Sequence, residues 1–244
     1  MLTDNKKTAY EAEVMQNWDS SYSFPLVSVI CITYNHEKYI AECLDSILSQ
    51  KTSFPFEVVL HDDGSTDETS RIAYDYKSKY PSIIKLIIQN ENQYSKGIRI
   101  LSEIAMPACS GEYYAICEGD DYWTYEKKLE TQVKFMLENP KVILTCHAAQ
   151  IIDAKTNAIV TNRRPTQNPG FITTDNIILG DGGLIPTPSI VIRSIIKQSI
   201  PEWWKAAHIS DYPLALRSTL LGEIYTFNEV WCAYRTNVDG SWSS

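Results

Sequence analysis

Short β-branched runs alternate with amphipathic segments through the first half of this sequence. Residues 26–34, LVSVICITY, are apolar on both faces, the pattern of a strand buried inside a parallel sheet. Residues 38–50 then place Ile40, Cys43, Leu44, Ile47 and Leu48 at helical spacing, and FEVVL at 56–60 reads as a second strand. The alternation continues with a helix opening near Thr66, a strand at 85–89, a helix at 98–105 and a strand at 113–117. Strands and helices in this order predict an α/β fold with a mostly parallel sheet flanked by helices. Ligands of such sheets collect at the carboxyl ends of the strands, so the residues following Tyr34, Leu60 and Cys117 come first as candidates for chemistry.

Beyond Asp153 the regularity fades. Residues 161–188, rich in Asn, Pro, Thr and Gly, read as a long loop region; 189–194 looks like a strand, 211–222 a helix, and 223–235 one bent strand or two short ones. A chain of 244 residues can bury one core without disulfides or metal. The expected organisation is one domain: an N-terminal extension at 1–24, a first half at 25–125 and an irregular second half at 126–244. With 22 Lys and Arg against 30 Asp and Glu, the net charge of −8 opposes binding to nucleic acid. Six scattered cysteines with no C-x-x-C pair read as reduced core residues, which makes the cytoplasm the expected compartment. No apolar run approaches the roughly 18 residues of a membrane span, and residues 1–14 lack the apolar core of a signal peptide.

Three polar clusters fall at the expected strand ends: Tyr34-Asn35-His36, His61-Asp62-Asp63-Gly64-Ser65-Thr66-Asp67 and Glu118-Gly119-Asp120-Asp121-Tyr122-Trp123. Carboxylates crowded there repel one another and lose hydration, so they persist best around something positive or hydrogen-bond-donating. Glu118 and Asp120, two apart on an extended segment, point the same way and suit a hard cation such as Mn2+ or Mg2+ completed by water and phosphate oxygens. The competing reading is a solvated turn whose aspartate caps a helix near Thr124. Likewise Ser65 or Thr66 serves as a helix cap with Gly64 in the turn.

Taken together and in this order, T-Y-N, H-D-D-G-S-T-D and E-G-D-D-Y-W resemble the family 2 glycosyltransferases of the GT-A fold, strongly over residues 25–125 and more weakly over 180–244. The resemblance implies a Rossmann-like GT-A domain with a nucleotide-sugar-binding half and an acceptor-binding half. It assigns Thr33, Tyr34, Asn35, Glu37, Asp62 and Asp63 to the nucleotide of a UDP-sugar donor, with Asp63 facing the uracil N–H and Asp62 secondary. It assigns Asp120, with Glu118 replacing the first aspartate of the family's D-x-D motif, to a Mn2+ or Mg2+ ion that bridges the diphosphate.

The same resemblance makes Asp211 the base that deprotonates an acceptor hydroxyl in an inverting reaction, against a reading as a helix cap with Pro213 in the first turn. Arg193 and Arg235 are candidate diphosphate ligands, Arg235 from a closing Y-R-T-N loop in which Asn237 stands where the family commonly has histidine. Trp203, Trp204 and His208 lie before Asp211, where an indole would suit a sugar face; Trp123 reads as structural. His36 and His61 read as strand-end residues and His147 as buried, with no zinc spacing.

The implied activity is metal-dependent transfer of a sugar from a UDP-sugar to a hydroxyl of a saccharide or lipid-linked acceptor, in surface polysaccharide synthesis. Peripheral attachment at the inner face of the plasma membrane stays open, since many family members continue past the position of Ser244. Two alternatives also stay open: a catalytically idle sugar-nucleotide or glycan-binding module, and a sugar-phosphate nucleotidyltransferase, whose Gly-rich basic phosphate loop is missing here.

Overall fold

The run at 26–34 becomes β1 (Val27–Thr33), buried throughout except at half-exposed Ile32, with a parallel neighbour on each side. These neighbours are β2 (Phe56–Asp62) and β4 (Tyr113–Ile116), and β3 (Ile84–Ile88) extends the parallel set beyond β2. The computed structural model describes residues 4–205, 207 and 211–238.

The second half of the chain continues the same sheet through β5 (Tyr122–Trp123), β6 (Val142–Asp153), β7 (Ala158–Arg163), β8 (Gly170–Ile172), β9 (Val191–Arg193) and β10 (Glu223–Thr236). The main path runs β3-β2-β1-β4-β9-β6-β10-β5, with β7 beside β6 and β8 beside β10. Only the short β9 interrupts the common direction from β3 to β10; β5, β7 and β8 add antiparallel edges.

Helices cover both faces. On one face α2 (Ile40–Leu48), α3 (Thr69–Lys79) and α5 (Lys128–Glu138) bury Ile40, Leu44, Ile47, Val133 and Met136 against Val29, Cys31 and Leu60. On the other face lie a π-helical stretch at Ile100–Ala105, α4 (Met106–Ala108), the short α6 (Thr174–Leu179) and α7 (Glu202–Lys205), and α8 (Asp211–Leu221). They enclose Ile30, Tyr114, Ile116, Leu144 and Trp204. Burial of these contiguous apolar side chains is what fixes the strand order. All six cysteines are buried and free, as their apolar settings suggest. Among the described residues no helix is long and apolar enough to cross a membrane.

Several elements depart from the pattern reading. Residues 161–188 hold the end of β7, all of β8 and α6 rather than one long loop; β7 is exposed at every residue and therefore carries no apolar alternation. The helix expected near Thr124 begins at Lys128, so neither Asp120 nor Asp121 caps it. Residues 223–236 form one strand, bent by register shifts between Thr226 and Cys232.

The N-terminal extension is docked. In α1 (Asp4–Met15) the Glu11 carboxylate accepts the backbone N–H groups of Ser82 (2.5 Å) and Ile83 (3.2 Å) and Tyr10 meets the Tyr80 ring, while Trp18, past the helix, packs edge-on against Phe56. Those amides lead into β3, so Glu11→Ala removes the acceptor of two donors, of which the Ile83 N–H is buried. The expected cost is about 1–3 kcal/mol of unfolding free energy, measured by urea denaturation.

Candidate active site

At the carboxyl end of β1 and β2, two loops are built from each other's polar side chains. Asn35 takes φ +54°, its backbone N–H donates to Ser65 Oγ (2.9 Å), and its own Oδ1 accepts the Thr66 N–H (2.8 Å). The Glu37 N–H donates to Asp67 (3.1 Å) while the Glu37 carboxylate accepts the Glu68 N–H (3.0 Å) ahead of α3. His36 N–H donates to Thr69 Oγ1 (2.8 Å). Fully buried Asp62 accepts the Ser65 N–H and hydroxyl through one oxygen and the Ser70 hydroxyl through the other. Asp63 accepts the N–H groups of Gln93 (2.9 Å) and Tyr94 (3.0 Å), pinning the segment after β3 that passes Gly64. Gly64 has φ +77°, and a Cβ there would lie 2.6 Å from the Glu91 backbone.

The turn after β4 lies against this platform. A Cβ on Gly119 would stand 2.5 Å from Thr33 Oγ1 and 3.0 Å from His36 Nδ1, so only glycine lets the turn approach β1 this closely. His36 Nε2 lies 3.7 Å from Asp120 Oδ2. Burial keeps the His36 imidazole below its ordinary pKa despite the pull of Asp120, Asp67 and Asp62. Behind the turn stands Arg235, its guanidinium between the rings of Tyr39 (4.9 Å) and Tyr122 (4.7 Å). The guanidinium donates to the Asp120 carbonyl (2.5 Å) and pairs with Glu42, while the Arg235 backbone N–H donates to Asp121 Oδ1 (2.8 Å). Asp121 Oδ2 and Thr33 Oγ1 are buried without a hydrogen-bond partner.

Asp211, the first residue of α8, brings a further carboxylate to this turn from the second half of the chain, and Thr187 Oγ1 donates to its Oδ2 (2.6 Å). Lost hydration, then the charges of Asp211 and Asp120, push Glu118 well above the ordinary carboxylate range. Burial, then Asp120 and Glu118, does the same to Asp121, and burial raises Asp211 while the Thr187 hydroxyl pulls it back. Tyr234 is also raised, first by burial and then by Glu118, Asp121, Asp211 and Asp120, which marks it as a neighbour of all four acids. Among the described residues no three His, Cys, Asp or Glu side chains enclose an ion by themselves.

A family model for glycosyl transferase family 2 matches residues 28–199, well over half the chain. The chain belongs to that family. An uncharacterized protein of Mycobacterium tuberculosis is 33% identical over 218 residues, 89% of this chain and 61% of its own length. The chondroitin synthase of Escherichia coli is 38% identical over 98 residues, 40% of this chain and 13% of the synthase. The structure of S. aureus TarS residues 1–349 in complex with UDP superposes with a TM-score of 0.66 at 25% identity, over 86% of this chain and 60% of that 1–349 chain. The sheet flanked by helices is thus the GT-A fold. The chain spans about 61% of the length of the mycobacterial relative.

Within the family frame, the sequence-predicted residues divide by what the structure lets them touch. Glu118, Asp120 and Asp211 meet at one rim. Thr33 lies directly beneath the acidic turn, and half-buried Tyr34 opens the first loop. Asn35, Glu37 and Asp62 spend their side chains on the loop scaffold, so they shape the platform at the ends of β1 and β2. Arg235 lies under the turn, committed to Asp120, Glu42 and two rings instead of reaching across the cleft.

Arg193 is corrected outright. It donates to the Val142 and Met136 carbonyls and to the Tyr113 hydroxyl, at the start of β4 and so at the opposite sheet edge. Asn237 donates to Asp153 (2.6 Å). Trp123 is structural as expected, and Trp204 is core, leaving Trp203 as the exposed indole of that pair at 42%. His61 and His147 are buried, the first near Gln89 and the second at the Ala148 carbonyl. His208 lies outside the described residues. Thr187 and Tyr234 were missed as site residues; both stand among prolines or in an ordinary strand pattern, with no local signal of chemistry.

The raised carboxyl at Glu118 has a consequence for stability. An acid with a raised folded-state pKa binds its proton more tightly when folded, so its contribution is retained below the ordinary value of 4.5 and lost as pH rises above it. Glu118→Gln cannot ionise. Relative to the wild type, its urea midpoint is expected to rise progressively above pH 4.5, with the gap widest at the alkaline end of the series.

Proposed function

We propose that this chain is an inverting, metal-dependent glycosyltransferase that moves a sugar from a UDP-sugar to a hydroxyl of a saccharide or lipid-linked saccharide, in the synthesis of a surface polysaccharide. The observation that carries this reading is the convergence of Glu118 and Asp120 from the first half with Asp211 from the second, supported by the rise that Asp211 and Asp120 impose on Glu118 after its burial. A transferase needs donor-side and acceptor-side chemistry within one bond of each other.

On the donor side, the platform of Thr33, Tyr34 and the 62–67 loop receives the nucleotide. Asp63, with two lone-pair directions left after Gln93 and Tyr94, accepts the uracil imide N–H. Asp120, with Glu118, offers the hard oxygen ligands that Mn2+ or Mg2+ favours, and the orphaned Asp121 Oδ2 and Thr33 Oγ1 nearby fit such a polar centre. An ion held by one or two carboxylates and completed by phosphate and water needs no closed protein cage. When bound, such an ion offsets the negative charge that grows on the diphosphate as the sugar leaves. TarS, the similar structure with UDP, supports the choice of a uridine nucleotide.

On the acceptor side, Asp211 takes the proton of the attacking hydroxyl. Burial raises its pKa, and a raised pKa makes its carboxylate a stronger base than a solvated aspartate. With Oδ2 occupied by Thr187, Oδ1 is the oxygen left for the acceptor. Peripheral membrane attachment would bring this rim to a lipid-linked saccharide.

Two variants separate the roles. Asp120→Ala is expected to abolish Mn2+-dependent binding of UDP in a calorimetric titration; unchanged affinity would remove the metal assignment. Asp211→Asn is expected to bind UDP and Mn2+ as the wild type does, while sugar transfer or UDP release from a panel of UDP-sugars falls by about 10²–10⁴-fold. Retained turnover would return Asp211 to helix capping.

A further inference from the structure

We infer that Thr187 is a positioning residue for Asp211, and that the turn carrying Thr187 is itself held by residues that follow the acidic turn of the first half. The inference rests on Asp211 being the base. Thr187 is buried at 4% exposure in a single turn of 3-10 helix, Thr187–Ser189, that packs against β4, β6 and β10. Its hydroxyl is the one described donor to the Asp211 carboxylate, at 2.6 Å. The other groups facing Asp211 are the carboxyl of Glu118 and the phenol of Tyr234, neither of which offers a positive charge.

The turn has two anchors. Trp123, two residues after Asp121, donates its indole N–H to the Pro188 carbonyl (2.9 Å), and Gln132 of α5 donates to the Ser189 carbonyl (3.0 Å). Ser189 closes the turn on itself by donating to the Pro186 carbonyl (2.6 Å). Under the indole lies Lys128, fully buried, its ammonium 4.2 Å from the Trp123 ring centre and without a hydrogen-bond acceptor. A buried lysine with no carboxylate partner is costly to keep. Here its described contact is the π face of the ring that holds the turn, which gives the charge a mechanical use.

A contiguous path therefore runs from Lys128 through Trp123, Pro188 and Thr187 to Asp211. The segment that supplies Asp120 also sets the aim of the base. Orientation of a catalytic carboxylate by a second group matters because small misplacements of a reacting group lose large factors in rate.

The test compares Thr187→Val, which keeps the shape and removes the hydroxyl, with Thr187→Ser, which restores the donor. With Mn2+ and UDP-GlcNAc as probe, the valine variant is expected to lose roughly 10- to 100-fold in kcat for UDP release with KM within about twofold, and the serine variant to recover most of it. Crystal structures of the two variants without nucleotide give a readout independent of donor choice. The Asp211 carboxylate leaves the Thr187 turn in the valine variant and stays on it in the serine variant. If the valine variant does not fold, Trp123→Phe, which removes the indole N–H together with the pyrrole ring that carries it, is expected to displace the same turn and carboxylate. An Asp211 side chain unmoved in the valine or phenylalanine variant, or a serine variant as impaired as valine, overturns the positioning role. Normal turnover by Asp211→Asn would overturn the base assignment instead, and the crystallographic comparison would still decide what Thr187 holds.

Discussion

Four carboxyl groups share one rim of the sheet, and among the described residues one committed guanidinium, that of Arg235, stands behind them. Glu118, Asp120 and Asp121 belong to one turn, and Asp211 arrives from a helix almost a hundred residues later in the chain. Three of them are driven toward their neutral forms, Glu118 and Asp121 by dehydration and like charge together and Asp211 by dehydration. Protonation of the acids, or a positive group beside them, relieves such an arrangement. Arg235 offsets part of it from the rear, through the Asp120 carbonyl and the Asp121 carboxylate, and leaves the open side of the turn negative.

The neighbouring loops solve the opposite problem. Asp62, Asp67 and Glu37 are acids whose charge is absorbed locally by hydroxyls and by the backbone N–H groups ahead of α3. They make a rigid floor. The contrast between satisfied acids on the floor and strained acids at the rim distinguishes scaffold from chemistry in this site better than acidity alone.

The fold class was legible because buried parallel strands and amphipathic helices leave different periodicities, and residues 26–117 follow them closely. The strand at 142–153 and the edge strands were harder: β7 is wholly exposed, β8 is three residues long, and neither pairing is local in sequence. At the site, Glu118, Asp120 and Asp211 could be named because their spacing fits a family pattern. The roles of Asn35, Asp62, Arg193 and Arg235 could not, since a side chain's partner depends on which strand ends are brought side by side. Thr187 was invisible for the same reason: its importance comes from a carboxylate 24 positions away.

The bent last strand carries an implication for how such a chain can vary. From Thr226 to Cys232 it takes six steps while β6 advances only three, so the alternation of side chains changes phase at the bulge. Residues six apart, which would point the same way in a regular strand, end on opposite faces. Loss or gain of a single residue between 227 and 231 would exchange the directions of Tyr234 and Arg235 and withdraw the guanidinium from the acidic turn. Changes in pairs would preserve the phase. Evolution is thus free to alter the chemistry of this segment far more readily than its count of residues.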